Sequence, residues 1–183
     1  MKSPYRPEFE AALRLFAQVS EAMKQEGFEA PVLVGGGAVE LYSNSAITTG
    51  DFDIVTGRQD RFEIILKKHG FIKPSGKGMA TRGWIHPGLQ LGFEVVSSVL
   101  LDGKADRGRV RLISVGDAGQ VSILALEDMI ADRMGQYASG TAPDMLGQAQ
   151  ALFDLYPDAD LDYMDRRIRA ESIGDYGIDA LKR

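Results

Sequence analysis

From Pro7 to Lys24 the positions Phe9, Leu13, Phe16, Ser20 and Met23 recur at steps of three and four with charges between them, and Gly27 follows as a stop. That spacing predicts an amphipathic helix. The short apolar run Pro31-Val32-Leu33-Val34 then meets Gly35-Gly36-Gly37 and continues into Ala38-Val39-Glu40-Leu41-Tyr42, the pattern of a buried strand that turns through glycines into a helix. A second strand is expected over Asp51 to Val55. Residues 59 to 69 read as a helix with Phe62, Ile65 and Leu66 on one side, closed by Gly70 ahead of Phe71-Ile72.

From Gly83 to Val110 short β-rich pieces are broken by glycines: Trp84-Ile85, then Leu89 to Leu101, followed by Val110 to Val115 and Val121 to Leu124. Beyond Leu124 helical spacing returns. Leu126, Met129, Ile130 and Met134 share a face, as do Met145, Ala149, Leu152, Phe153 and Tyr156, and then Leu161, Met164 and Ile168. The expected architecture is α/β (α+β), with an α/β core over residues 1–123 and a C-terminal helical segment over 124–183. No repeat or linker rich in Pro, Gly and Ser separates the two parts, so the helices are expected to pack on the sheet.

Composition narrows the functional classes. The 183 residues are 44% hydrophobic and 26% charged, an ordinary globular balance. Net charge is −5, which removes the long-range attraction used by a general nucleic-acid or anionic-membrane binder. Cysteine is absent, which excludes disulfides, zinc-thiolate sites and thiol nucleophiles; any metal must be held by oxygen or by the two histidines. Residues 1 to 16 carry charges and prolines where a secretory leader needs an apolar run, and no stretch reaches the length of a membrane span. A cytoplasmic location without membrane partners is the expectation.

The candidate chemistry lies in two short stretches. On a strand, Asp51 and Asp53 project from the same face while Phe52 and Ile54 enter the core. Two carboxylates that close either raise one pKa or gather a cation, and oxygen-only ligation favours Mg²⁺ or Mn²⁺. Glu94, set among Leu91-Gly92-Phe93 and Val95-Val96, is a third acid in an apolar strand; beside the Asp51–Asp53 strand it would complete a site for one or two ions. The glycine turn supplies the complement, because a backbone without side chains approaches phosphate closely and the N–H groups opening the next helix point at an anion. Other phosphate motifs fail: no Gly-x4-Gly-Lys-Ser/Thr occurs, and Gly35-Gly36-Gly37-Ala38-Val39-Glu40 lacks the last glycine of the dinucleotide fingerprint.

A glycine pair, a short helix, an Asp-x-Asp strand and a later strand acid together resemble the nucleotidyltransferases of the DNA polymerase β superfamily. Residues 34–42 and 48–55 are similar to the small bacterial AbiEii-type and antitoxin-paired transferases, in which a segment like Leu126-Glu127-Asp128-Met129-Ile130-Ala131 opens the C-terminal helices. The resemblance implies metal binding by Asp51, Asp53 and Glu94, with Glu94 also a candidate base. It implies a nucleoside triphosphate substrate cradled at Gly35, Gly36 and Gly37, and an acceptor such as tRNA, a protein or a small hydroxylated molecule. A cognate antitoxin is a further implied partner. The chain departs from the pattern in having Gly and Ala where a serine often follows the first glycine, which removes a hydroxyl contact to phosphate. That loss motivates an alternative, a catalytically degenerate nucleotide-binding or toxin–antitoxin partner protein. AbiEii-type relatives often carry a lysine on the helix after the Glu-Asp pair; Asp132-Arg133 stands there, and Arg133 is a fixed charge for phosphate that does not titrate.

The remaining polar features have plainer readings. Glu127 and Asp128 read as first-turn acids favoured by the helix dipole, and Thr141 as an N-cap with Asp144 three residues on. Lys67-Lys68 and Arg166-Arg167-Ile168-Arg169 read as solvated helix faces on which a nucleic-acid substrate could rest.

Overall fold

The computed structural model describes residues 3–74 and 83–182. Helix α1 (Pro7–Gln25) begins with proline at its first position and Glu8 and Glu10 in its first turn, and ends with Lys24, an order that suits the helix dipole. Its apolar stripe, Phe9, Leu13, Phe16 and Met23 with Ser20, is buried throughout. Strand β1 (Val32–Val34) runs straight into α2 (Gly35–Tyr42), so the helix starts at the first glycine of the triplet. Strand β2 (Asp51–Val55), helix α3 (Gln59–Lys68) and strand β3 (Gly92–Ser97) follow. Strands β4 (Arg111–Ser114) and β5 (Gln120–Ile123) form a hairpin, after which come α4 (Leu126–Ala138), α5 (Met145–Leu155) and α6 (Leu161–Glu171).

Among the described residues the strands form one mixed sheet in the order β3-β2-β1-β5-β4. The pairs β1–β2 and β4–β5 are antiparallel, while β2–β3 and β1–β5 are parallel. The mixed α/β architecture expected from periodicity is therefore the one observed. The expected strand over Leu89–Leu101 is shorter, Gly92–Ser97, and the chain beyond it turns at Leu101 and Asp102, with left-handed φ of 43° and 54°. Trp84 and Ile85 make only isolated bridges, to Phe93 and Ile72.

The register of β2 against β3 decides the character of each sheet face. Phe52 lies beside Phe93 with ring centroids 5.1 Å apart and nearly parallel, and Phe9 and Phe16 of α1 pack against this pair. All four rings are fully buried, each stabilising the fold by about 2–3 kcal/mol through apolar area removed from water. With the aromatic positions turned inward, the alternating partners Asp53 and Glu94 must project together from the other face. The C-terminal helices dock through specific contacts: the Tyr42 hydroxyl donates to the carbonyl of Leu124 (2.7 Å), and the Tyr156 hydroxyl donates to that of Tyr42 (2.8 Å).

Several surface expectations change. Glu127 and Asp128 do stand in the first turn of α4, but both are buried. Asp128 accepts from Arg167 Nε at 2.6 Å and from the Tyr163 hydroxyl, so Arg167 is an internal strut between α4 and α6 rather than part of a solvated face. Asp144 occupies the N-cap position of α5 without a capping bond from its side chain, and Thr141 lies upstream of the helix. No described helix is long and apolar enough to cross a membrane.

Candidate active site

Asp53 sits at the centre of the site because its strand neighbours fix it on both sides: Val34 of β1 on one side and Glu94 of β3 on the other. Asp51 lies one pleat away on the same face, opposite Gly92. Ligand oxygens of Asp51, Asp53 and Glu94 all lie within 4.8 Å of one another, a hard, all-oxygen set suited to a small divalent cation. The three acids predicted as ligands thus converge.

The glycine turn closes on Asp53 from above. Gly35 has φ +58°, and a Cβ there would fall 1.9 Å from Asp53 Oδ2, so only glycine allows helix and carboxylate to occupy this corner together. The next N–H, that of Gly36, donates to the same Oδ2 at 3.3 Å. Burial pushes the Asp53 carboxyl up to about 6, with Asp51 and Glu94 adding repulsion; the Gly36 N–H and Arg133 only partly oppose the rise. A carboxylate raised chiefly by burial, and further by two neighbouring acids, is short of positive charge. That deficit is the condition a divalent ion would relieve.

Gly35, Gly36 and Asp53 form one wall of a cleft of about 400 Å³, with Val96, Ser97, Val99 and Leu101 along one side and Asp132, Arg133 and Gln136 of α4 across from the turn. Arg133, predicted as a phosphate contact, therefore lines the same cleft as the glycines. Its guanidinium is almost fully buried: Nη1 contacts Met145 Sδ and Gln136 Oε1, Nε lies 3.7 Å from Asp132 Oδ2, and Nε makes no hydrogen bond among the described residues. Burial raises the Asp132 carboxyl, opposed by Arg133 and by a bond from Gln136. Gly37 plays a different part from its two neighbours, since a Cβ there would lie 2.9 Å from Leu33 Cδ1; it permits close packing of α2 on β1.

No family model matches the chain, and no curated protein sequence does. Comparison with solved structures is informative. An antigenic nucleotidyltransferase-like protein from Paracoccidioides brasiliensis superposes with a TM-score of 0.63 over 97% of this chain and 94% of its own, at 13% identity. The fold is nucleotidyltransferase-like. The antibiotic-resistance factor ANT(2'')-Ia gives a TM-score of 0.55 over 87% of this chain and 90% of its own, at 14% identity. Within this nucleotidyltransferase-like fold, α2, β2 and β3 are the elements that assemble the site.

Sequence reasoning passed over the group that holds the entry to β2. Glu40 of α2 is fully buried; its Oε1 accepts from Arg6 Nε (2.6 Å) and from Ser45 Oγ (2.9 Å), and its Oε2 accepts from Arg6 Nη2 (3.0 Å) and from the Thr49 N–H (2.7 Å). Burial alone would raise the Glu40 carboxyl, but these partners outweigh it and hold it below the usual range. Arg6 Nη2 also donates to the Thr49 carbonyl at 2.6 Å. One ion pair thereby clamps both sides of Thr49, two residues before Asp51. The available signal was a lone acid inside the apolar stretch Ala38 to Tyr42.

Proposed function

We propose that this chain transfers a nucleoside monophosphate from a nucleoside triphosphate to a hydroxyl acceptor, with Mg²⁺ or Mn²⁺ held by Asp51, Asp53 and Glu94. The observation that carries this reading is the convergence of the three carboxylates beside the glycine turn, with Asp53 itself on the wall of the cleft. The nucleotidyltransferase-like fold supports it. Bound ions would supply charge neutralisation for the triphosphate and a more acidic acceptor hydroxyl.

The chain's own groups divide the remaining work. Main-chain N–H groups opening α2 at Gly35, Gly36 and Gly37 receive phosphate oxygens, helped by the helix dipole. Arg133 places a permanent positive charge in the cleft, where its low exposure strengthens its pull on phosphate. The acceptor oxygen forms a bond to the α-phosphorus as the bond to the β-bridging oxygen breaks. Pyrophosphate leaves, and the hydroxyl proton passes to the Glu94 carboxylate and then to solvent. The acceptor is an RNA such as tRNA, a protein side chain or a small hydroxylated molecule.

Incubation with each α-labelled nucleoside triphosphate, Mg²⁺ and a cell extract tests the proposal. Label should enter an acceptor in the wild type and not in Asp53→Asn. Tight nucleotide binding without transfer to any acceptor would favour a non-catalytic nucleotide-binding role instead.

A further inference from the structure

Thr49 ends the polar loop that leads into β2, and its position is unusually determined. Its N–H goes to Glu40 and its carbonyl receives Arg6, so its side chain is presented in one direction. That direction is toward the start of α2. A Cβ built on Gly36 would fall 2.4 Å from Thr49 Oγ1 and 3.1 Å from Thr49 Cβ, so the threonine already fills the volume of a side chain at position 36. Gly36 itself lines the cleft and donates its N–H to Asp53. Thr49 Oγ1 donates to the main-chain carbonyl of Asp51 at 3.1 Å and lies 3.5 Å from Asp51 Oδ1. Rotation about the Cβ–Oγ1 bond alone would release that proton for another acceptor. The Thr49 hydroxyl, the Gly36 N–H that opens α2 and engages Asp53, and the carboxylate of Asp51 therefore lie together. Arg133 lines the cleft that Gly36 lines, and its buried Nε has no hydrogen-bond partner among the described residues.

We propose that Thr49 binds the nucleotide's phosphate chain, presenting from the loop a hydroxyl in the side-chain space of Gly36. The proposal rests on the nucleotidyl-transfer reading and adds a ligand to it. Arg6 and Glu40 are positioning residues for that hydroxyl. Because Gly36 does not have positive φ, its backbone accepts serine once the space is cleared, so the source of the hydroxyl can be exchanged between the two positions.

The test is calorimetric titration of the full chain, in Mg²⁺, with ATP, GTP, CTP and UTP in turn and with pyrophosphate as a base-free probe. Thr49→Val should weaken nucleotide and pyrophosphate binding alike by about tenfold, the value of one hydrogen bond to a charged group. Thr49→Ser should stay within about threefold of wild type. Gly36→Ser alone should weaken binding by crowding Thr49, Thr49→Gly should weaken it by losing the hydroxyl, and the double variant Gly36→Ser/Thr49→Gly should regain most of the loss. Unfolding temperatures accompany every variant; if Thr49→Val does not fold, the serine variant and the exchanged pair decide. Wild-type affinity in folded Thr49→Val overturns the proposal, as does an exchanged pair that folds normally yet binds no better than Thr49→Gly. Both outcomes leave the nucleotidyl-transfer reading standing. A wild-type chain that binds none of the probes overturns that reading together with this one.

Discussion

Replacing Asp53 with asparagine should make the metal-free protein more stable while removing its response to divalent ions. Asparagine keeps the shape of the side chain and an oxygen to accept the Gly36 N–H, so the substitution isolates the charge. In the folded chain Asp53 titrates at about 6 instead of its ordinary 3.8, so ionising it costs more folded than unfolded. The full shift corresponds to about 3 kcal/mol at pH values above both pKa values. Partial exposure and local relaxation reduce this to an expected gain of about 2 kcal/mol, or about 4–8 °C in Tm for a chain of this size. The sign follows from proton uptake on folding: between pH 4 and 6 the native state binds the extra proton, so Asp53 destabilises increasingly as pH rises through this window, and the penalty is complete above it. Differential scanning calorimetry in chelator, from pH 4.5 to 8, should show wild type and Asp53→Asn converging at low pH and separating above pH 6. Adding Mg²⁺ should raise the Tm of wild type and leave Asp53→Asn unmoved. Equal stability of the two proteins at pH 7.5 in chelator, with parallel pH profiles, would refute the claim that burial, reinforced by the neighbouring carboxylates, disfavours the Asp53 charge without a compensating cation.

Asp51→Asn and Glu94→Gln should each reduce the Mg²⁺-induced rise in Tm, measured in the same scans, because each removes one oxygen ligand. Arg6→Ala leaves the Glu40 carboxylate buried without its charge partner and should cost about 3 kcal/mol by urea unfolding; Arg6→Ala with Glu40→Gln should recover part of it. Gly35→Ala should destabilise by at least about 2 kcal/mol and abolish divalent-ion binding, since the added methyl collides with Asp53 and the backbone is left-handed. Arg133→Met should weaken Mg²⁺–nucleotide binding about tenfold by calorimetry, and should also destabilise the fold, since it removes the charge beside Asp132 and the Nη1 bond to Gln136.

Local pattern was enough to place the helices, the glycine turn and the acids of β2. Asp51 and Asp53 share a face because strand geometry has a period of two, and Phe52 and Ile54 declare which face is inward. The same rule assigns Glu94 to the outer face once Phe93 is core. Periodicity stops short of long-range pairing: that Asp53 stands beside Glu94, and that both stand beside Val34, is a property of the β3-β2-β1 order. Polar residues whose partners are distant in sequence were the least legible. Asp128 and Arg167 look like surface charges at helical spacing, yet 39 residues apart they form an internal pair, and Glu40 finds Arg6 34 residues earlier.

The sequence by itself determined the materials of the site: an all-oxygen ligand set by the absence of cysteine, two acids at strand spacing, and a turn of three glycines. Each is a consequence of covalent chemistry or of local backbone geometry, which a single segment carries intact. Tertiary structure alone decided that the third acid joins them, that Arg133 lies across the same cleft as Gly35 and Gly36, and that Thr49 stands in the space above Gly36. Those facts depend on which strands pair and on where a buried ion pair pins a loop, and both are settled by the packing of the whole core.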